Sequence, residues 1–187
     1  VKREDIINYL NKLDQEERRS LRNIGVKFGR YHIYLYKLLK PDAVSLRLIL
    51  WKNFHQKYFD FKPPKFGLNF LESKKKLNKN FMLICGFEKF DDFFVRIDIL
   101  ERLFIQIINS SNEKNKEVIL VPEMLNLLGC SKDNFVKLIK KMNYKSTEKE
   151  NKVYFKYLPV KNKNYKNDEK KTNKNSPFSV LKELSIK

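Results

Sequence analysis

PEMLNLLGCSKDNFVKLIKKMNYKSTEKENKVYFKY, residues 122–157, is the stretch whose reading decides the fold. Pro122 fits a first helical turn, where its missing N–H has no partner to lose. Apolar spacing predicts a short helix over 123–128, stopped at Gly129, which can take the left-handed conformation that closes a helix. Ser131 is a good N-cap for a second helix over 132–142. In that helix Phe135, Leu138 and Ile139 share one face, and Lys132, Asn134, Lys137, Lys140 and Lys141 are left to solvent. After Tyr144, a polar turn over 146–151 leads into the alternating run 152–157, which predicts a strand pair. Helix, tight turn, cationic helix and basic hairpin together describe a winged-helix module, a common nucleic-acid-binding design. The same pattern also fits an ordinary helix pair, and many winged helices bind only proteins.

Charge favours a polyanionic partner. The 187 residues carry 40 Lys and Arg against 22 Asp and Glu, a formal net charge of +18, and counterion release from a phosphate backbone is the simplest use for that excess. The chain is also rich in Lys, Asn, Ile and Phe and has five glycines, a composition that AT-biased codons produce, so part of the lysine excess has that origin. The length suits one medium domain or two small ones. No run of about 18 uncharged apolar residues is present, so no membrane span is expected, and no signal peptide is read. Cys85 and Cys130 have no Cys or His neighbours at metal-ligand spacing, which predicts buried thiols in a reducing, cytoplasmic compartment. The first residue is Val1, consistent with a fragment, a processed product or an alternative start codon.

Outward from the decisive stretch, the expected fold is mainly α, with a small β-hairpin wing. A helical lobe spans 1–60, a linker or surface loop 61–80, a winged-helix-like module 81–160, a disordered Lys/Asn-rich tail 161–175 and a short amphipathic docking motif 176–187. Ile6, Ile7, Leu10 and Leu13 predict an amphipathic first helix, and 16–23 a charged second one. Residues 28–41 alternate loosely and read as an extended stretch leading into a turn. The helix over 43–58 has Leu46, Leu48, Ile49, Leu50 and Trp51 nearly all round, which predicts a central core element. Residues 81–87 fit a buried strand or the lead-in to the second lobe. Residues 97–109 form a strongly amphipathic helix, followed by a polar loop over 109–116. Phe178, Leu181 and Leu184, three apart after Ser176 and Pro177, make a small apolar helical face suited to partner docking or to folding back on the domain.

No phosphate-binding G-x-x-x-x-G-K-[ST] loop, dinucleotide fingerprint or Ser-His-Asp set is visible, and no catalytic or metal site is expected. His32 and His55 read as structural. Asp98 and Glu101 fall three apart beside Arg96 and Arg102, a spacing that suits ion pairing at a helix start.

Two stretches resemble a known family. Residues 24–35, Ile-Gly-Val-Lys-Phe-Gly-Arg-Tyr-His-Ile-Tyr-Leu, followed by Leu38-Leu39-Lys40-Pro41, are similar to a signature of helicases related to the mitochondrial degradosome RNA helicase, in particular the large alphaproteobacterial helicase-like proteins. Residues 95–103, Val-Arg-Ile-Asp-Ile-Leu-Glu-Arg-Leu, with Leu127-Leu128-Gly129-Cys130-Ser131 and Met142-Asn143-Tyr144, resemble their downstream "VR-D-LERL … LLGCS … LGY" pattern, and Ser176-Pro177-Phe178 resembles their C-terminal ends. Order and spacing agree over roughly residues 20–187. Asn143 stands where the family usually has Gly, and Tyr36 and Lys37 replace a Pro-containing approach to 38–41. The resemblance implies a region that follows two RecA-like motor domains of a superfamily 2 (DExH-type) RNA helicase. ATP and magnesium would be handled by that motor, not by this chain.

The expected function is therefore a nucleic-acid-binding accessory region of an ATP-dependent helicase, holding single-stranded RNA above all. Phosphate contacts are expected from Lys132, Lys137, Lys140, Lys141, Lys145 and Lys152, with Arg30, Tyr31 and Tyr34 stacking on bases or packing against the Trp51 helix. The alternatives are a free-standing winged-helix DNA-binding regulator and a scaffold that docks through Phe178, Leu181 and Leu184 onto an RNA-processing or ribosomal complex.

Overall fold

The computed structural model describes residues 1–56, 61–72, 77–111, 116–149 and 152–159. A 3-10 turn, Glu4–Ile6, runs into the short helix α1 (Ile7–Leu10), and α2 (Gln15–Asn23) follows. Asp14 starts α2 with a capping box: its carboxylate accepts the Glu17 N–H at 2.7 Å, and the Glu17 carboxylate accepts the Asp14 N–H at 2.9 Å, so two orphan donors are satisfied reciprocally. Strands β1 (Val26–Phe28) and β2 (Ile33–Leu35) form a hairpin, closed where the Gly29 N–H donates to the His32 carbonyl at 2.8 Å. The chain start lies alongside, with the Arg3 N–H donating to the Tyr31 carbonyl and the Ile33 N–H to the Val1 carbonyl. A second 3-10 turn, Tyr36–Leu39, leads to α3 (Pro41–His55), which begins on its proline.

Next come β3 (Phe70–Glu72), α4 (Lys79–Ile84), β4 (Phe87–Phe90), β5 (Phe93–Arg96) and α5 (Ile97–Asn109). The strands form an antiparallel sheet in the order β3-β5-β4. The central strand β5 serves two cores, because successive side chains of a strand point to opposite faces. Phe93 and Val95 join one cluster with Leu100 and Leu103 of α5. Phe94 joins the other, with Val44 and Leu48 of α3 and Phe81 and Met82 of α4.

The last unit is β6 (Glu117–Ile119), α6 (Pro122–Leu128), α7 (Lys132–Lys141), β7 (Tyr144–Lys149) and β8 (Lys152–Tyr157), its strands antiparallel in the order β6-β8-β7. Gly129 closes α6 at φ 68°, and Ser131 caps α7 by accepting the Asn134 N–H at 3.3 Å. Asn143 takes φ 66° between α7 and β7, a left-handed position that asparagine tolerates. Phe135, Leu138 and Ile139 are fully buried, with Phe155 of β8 edge-on to Phe135.

The expected mainly α architecture with a winged-helix lobe is corrected. The described residues are 49% helix and 23% strand, in three small antiparallel sheets, a mixed α/β chain. Several local readings change with it. Residues 70–72, read as linker or loop, are a strand, 79–84 are helix before the strand at 87–90, and Glu117–Ile119 is a strand. The amphipathic first helix is reduced to a 3-10 turn and four residues, with Leu10 its buried anchor. The expected all-round burial of the Trp51 helix is also corrected: α3 buries Val44 and Leu48, while Leu46, Ile49, Leu50 and Phe54 are 58–84% exposed. The expected tail 161–175 and docking motif, with Phe178, Leu181 and Leu184, lie outside the described residues. Among the described residues no helix is long and apolar enough to cross a membrane.

Candidate nucleic-acid interface

The β7–β8 hairpin has a dry face and a wet one. Directly opposed residues of an antiparallel pair project to the same side, so the register sorts the side chains. Tyr144 opposes Tyr157, Ser146 opposes Phe155 and Glu148 opposes Val153; Tyr144, Phe155 and Val153 are buried. On the other face Lys145 opposes Lys156, Thr147 opposes Tyr154 and Lys149 opposes Lys152. Strand β6 extends this face with Glu117 beside Lys156 and Ile119 beside Tyr154. The Lys149 ammonium lies 5.9 Å from the Tyr154 ring centroid, and Lys145, Lys149, Lys152 and Lys156 are all exposed. Like charges placed directly opposite one another destabilise a hairpin, and this one carries two such pairs.

Helix α7 divides its lysines between different tasks. Lys132 donates to Glu148 at 2.6 Å, tying one flank to the hairpin. On the other flank Lys141 pairs with Asp91 at 2.8 Å and Asn134 donates to Glu72. The helix is thus clamped between two sheets, and two of the four expected phosphate ligands on it are spent on acids. Lys137 and Lys140 are exposed and have no ion pair among the described residues. They lie opposite the Phe135–Leu138–Ile139 face that packs on the sheet, so they look out on a different side from Lys145 and Lys152. The structure brings together Lys145 and Lys152 with two lysines not singled out beforehand, Lys149 and Lys156. The signal for Lys156 was the period of two in Lys152-Val153-Tyr154-Phe155-Lys156, which places Lys152, Tyr154 and Lys156 on one face, whereas Lys149 joins them only through the cross-strand register.

The two stretches that carry the family resemblance meet at one carboxylate. Glu101 of α5, 4% exposed, accepts the backbone N–H groups of Arg30 at 2.6 Å, Tyr31 at 2.8 Å and His32 at 2.7 Å. Gly29 makes this approach possible, since a Cβ there would stand 2.3 Å from the Glu101 carboxyl carbon. The expected pairing of Arg96 with Asp98 is present, at 2.7 and 3.0 Å, whereas Glu101 serves backbone instead of an arginine. His32, fully enclosed, reaches Glu88 through Nε2 at 3.0 Å, and Glu88 also takes the Lys2 ammonium at 2.8 Å. Nδ1 stands 3.6 Å from Glu101, an ion-pair distance that is too long for a hydrogen bond. Burial opposes the charged imidazole, but the Glu101 and Glu88 carboxylates outweigh it and raise its pKa. Together these contacts clip the 29–32 turn to α5 and β4.

The clip presents Arg30 to solvent. Its guanidinium lies 6.0 Å from the Phe104 ring centroid, and Tyr31 meets the same ring edge-on at 5.5 Å. Burial pushes the Tyr31 phenol up, and that of Tyr34 as well. Tyr31 therefore packs on Phe104 of α5, while the Trp51 ring stacks on His55 of its own helix and meets Phe81 of α4. Tyr34 lines a separate apolar cleft with Leu39 and Ile97, so the expected trio of stacking residues is not one surface. Arg30 borders a cleft of about 600 Å³ with Phe104, Ile108, Lys116, Tyr144 and Tyr157. It also borders a second cleft of about 360 Å³ with Lys2, Arg3 and Lys141. The thiols of Cys85 and Cys130 are unpaired and pushed by burial to about 12 and about 11, which keeps both protonated at neutral pH.

Comparison with family models, with curated proteins and with solved structures finds no match to this chain.

Proposed function

We propose that this chain grips single-stranded nucleic acid, RNA above all, as an accessory region of an ATP-dependent helicase related to the mitochondrial degradosome RNA helicase. The observation that carries the reading is the wet face of the β6-β8-β7 sheet, where Lys145 opposes Lys156 and Lys149 opposes Lys152 around Tyr154. That arrangement costs the free protein stability. A line of phosphates laid over it removes the repulsion and releases counterions. The helicase part of the reading rests on the sequence resemblance alone, whose two stretches Glu101 holds together in this fold.

The test is fluorescence anisotropy with single-stranded RNA, single-stranded DNA and duplex DNA across a salt series. Binding to single strands that weakens steeply with salt, and that collapses when Lys145, Lys149, Lys152 and Lys156 become glutamate, is the expected result. Absence of binding at about 50 mM salt, where several phosphate contacts give strong affinity, would overturn it.

A second reading is a protein-docking scaffold, and α3 favours it. Leu46, Ile49, Leu50 and Phe54 form an exposed apolar stripe at helical spacing, a feature typical of contact surfaces. Pull-down of one stoichiometric partner, lost on Leu50→Lys and retained in the glutamate variant, would favour that reading.

A further inference from the structure

We propose that the cleft between α5 and the Tyr144–Tyr157 end of the hairpin receives one unpaired nucleobase, with Arg30 taking the adjoining phosphate. The inference rests on the nucleic-acid reading and adds what the chain does with the base. The cleft is about 600 Å³, within the size range of small-molecule sites. Its floor is apolar, with Phe104, Ile107 and Val118, and its rim carries Arg30, Lys116 and Tyr157. Tyr157 is the most exposed of its aromatic rings, at 39%. Its ring is held edge-on to Tyr144 at 5.3 Å, so a planar guest meets a ring that is already positioned.

Arg30 makes the cleft more than an apolar dent. Its backbone N–H is fixed by Glu101 at 2.6 Å, and its side chain stands on the wall shared by the aromatic cleft and the second one, which mixes Lys2, Arg3 and Lys141 with Glu4 and Glu88. A base in the first cleft therefore puts its flanking phosphate at the guanidinium. Lys145 and Lys156, the next cross-strand pair after Tyr144 and Tyr157, project from the opposite face of the sheet, so a strand leaving the cleft reaches them around the end of the hairpin. Duplex bases are stacked and paired and have no plane to offer such a cleft, so the arrangement selects single strands.

The experiment compares an all-uridine RNA 12-mer with a ribose-phosphate 12-mer lacking bases, by anisotropy at equal salt. The base-bearing strand is expected to bind about 5- to 150-fold more tightly, the range for one stacked base, with both strands showing the same salt slope. Ile108→Trp, a change at an exposed position that fills the cleft, is expected to abolish the difference between the two strands. Tyr157→Leu, with folding of both variants checked by near-ultraviolet circular dichroism, is expected to reduce the difference as well. Equal affinity of the two strands for the unaltered protein would overturn the base cleft and leave the phosphate grip standing. A base-dependent gain that survives both variants would overturn the location. Binding of neither strand at about 50 mM salt would overturn the inference together with the reading beneath it.

Discussion

Glu101 accepts the backbone N–H of Tyr31 at 2.8 Å across 70 residues of chain. With the neighbouring N–H groups of Arg30 and His32 also on it, this carboxylate does for a hairpin turn what a capping side chain does for a helix. Hydrogen bonds to a buried charge are stronger than neutral ones, and donors left without a partner carry the full desolvation penalty. Glu101→Ala is expected to cost at least about 3 kcal/mol, read from urea denaturation. Glu101→Gln, which keeps one acceptor oxygen, is expected to recover part of that loss.

Gly29→Ala tests the same contact from the other side. The added Cβ would stand 2.3 Å from the Glu101 carboxyl carbon, an overpacking worth about 1–3 kcal/mol. In the Glu101→Ala background the obstruction is gone, so the two losses should be markedly less than additive. Additive losses would show that the two residues do not act through one contact.

The buried His32–Glu88 pair predicts a stability plateau in pH. His32 titrates above its ordinary 6.5, burial being outweighed by the Glu101 and Glu88 carboxylates. Its stabilisation is complete below pH 6.5 and is lost as pH rises through the higher folded value. Glu88 titrates below its ordinary 4.5, burial being outweighed by His32 and Lys2. Its contribution is present above pH 4.5 and is lost as pH falls through the lower folded value. Denaturation midpoints should therefore decline on both sides of that window, and His32→Gln should flatten the alkaline limb.

Lys152→Glu has opposite consequences for the fold and for its ligand. It replaces the repulsion with Lys149 by an attractive cross-strand pair, a gain of about 0.2–1 kcal/mol that thermal melting can resolve. RNA affinity should fall nonetheless, with the log–log salt slope reduced by about one. A variant that melts lower, or that binds as before, would contradict the role assigned to this face.

Leu46→Lys and Leu50→Lys should leave the denaturation midpoint within about 0.5 kcal/mol of the parent, because these side chains are 58% and 60% exposed. A larger loss would mean that the stripe is covered within the folded chain.

The helices around residue 130 were legible because their signals are local: Pro122, Gly129 and Ser131 each act within one turn. The strands were not. Phe70–Glu72 and Glu117–Ile119 are three residues long, too short for alternation to declare itself, and they pair with residues 93–95 and 154–156, far along the chain. Helix α3 misled because apolar content says nothing about which faces find cover. Lys145 and Lys152 stand out by charge and Lys156 by alternation, while Lys149 joins their face only through the cross-strand register. Glu101 looked like an ion-pairing residue because its true partners are backbone groups, which have no signature in sequence.

The double service of β5 has a consequence for how the chain opens. Phe94 belongs to one core and Phe93 and Val95 to the other, and β5 is hydrogen-bonded on both edges, to β3 and β4. Neither half can lose its packing without stripping a face from the strand that the other half needs. Native-state hydrogen exchange should therefore find the amides of Phe93–Arg96 among the slowest, released only in the global opening event. Fluorescence and far-ultraviolet probes should report a single coincident melt.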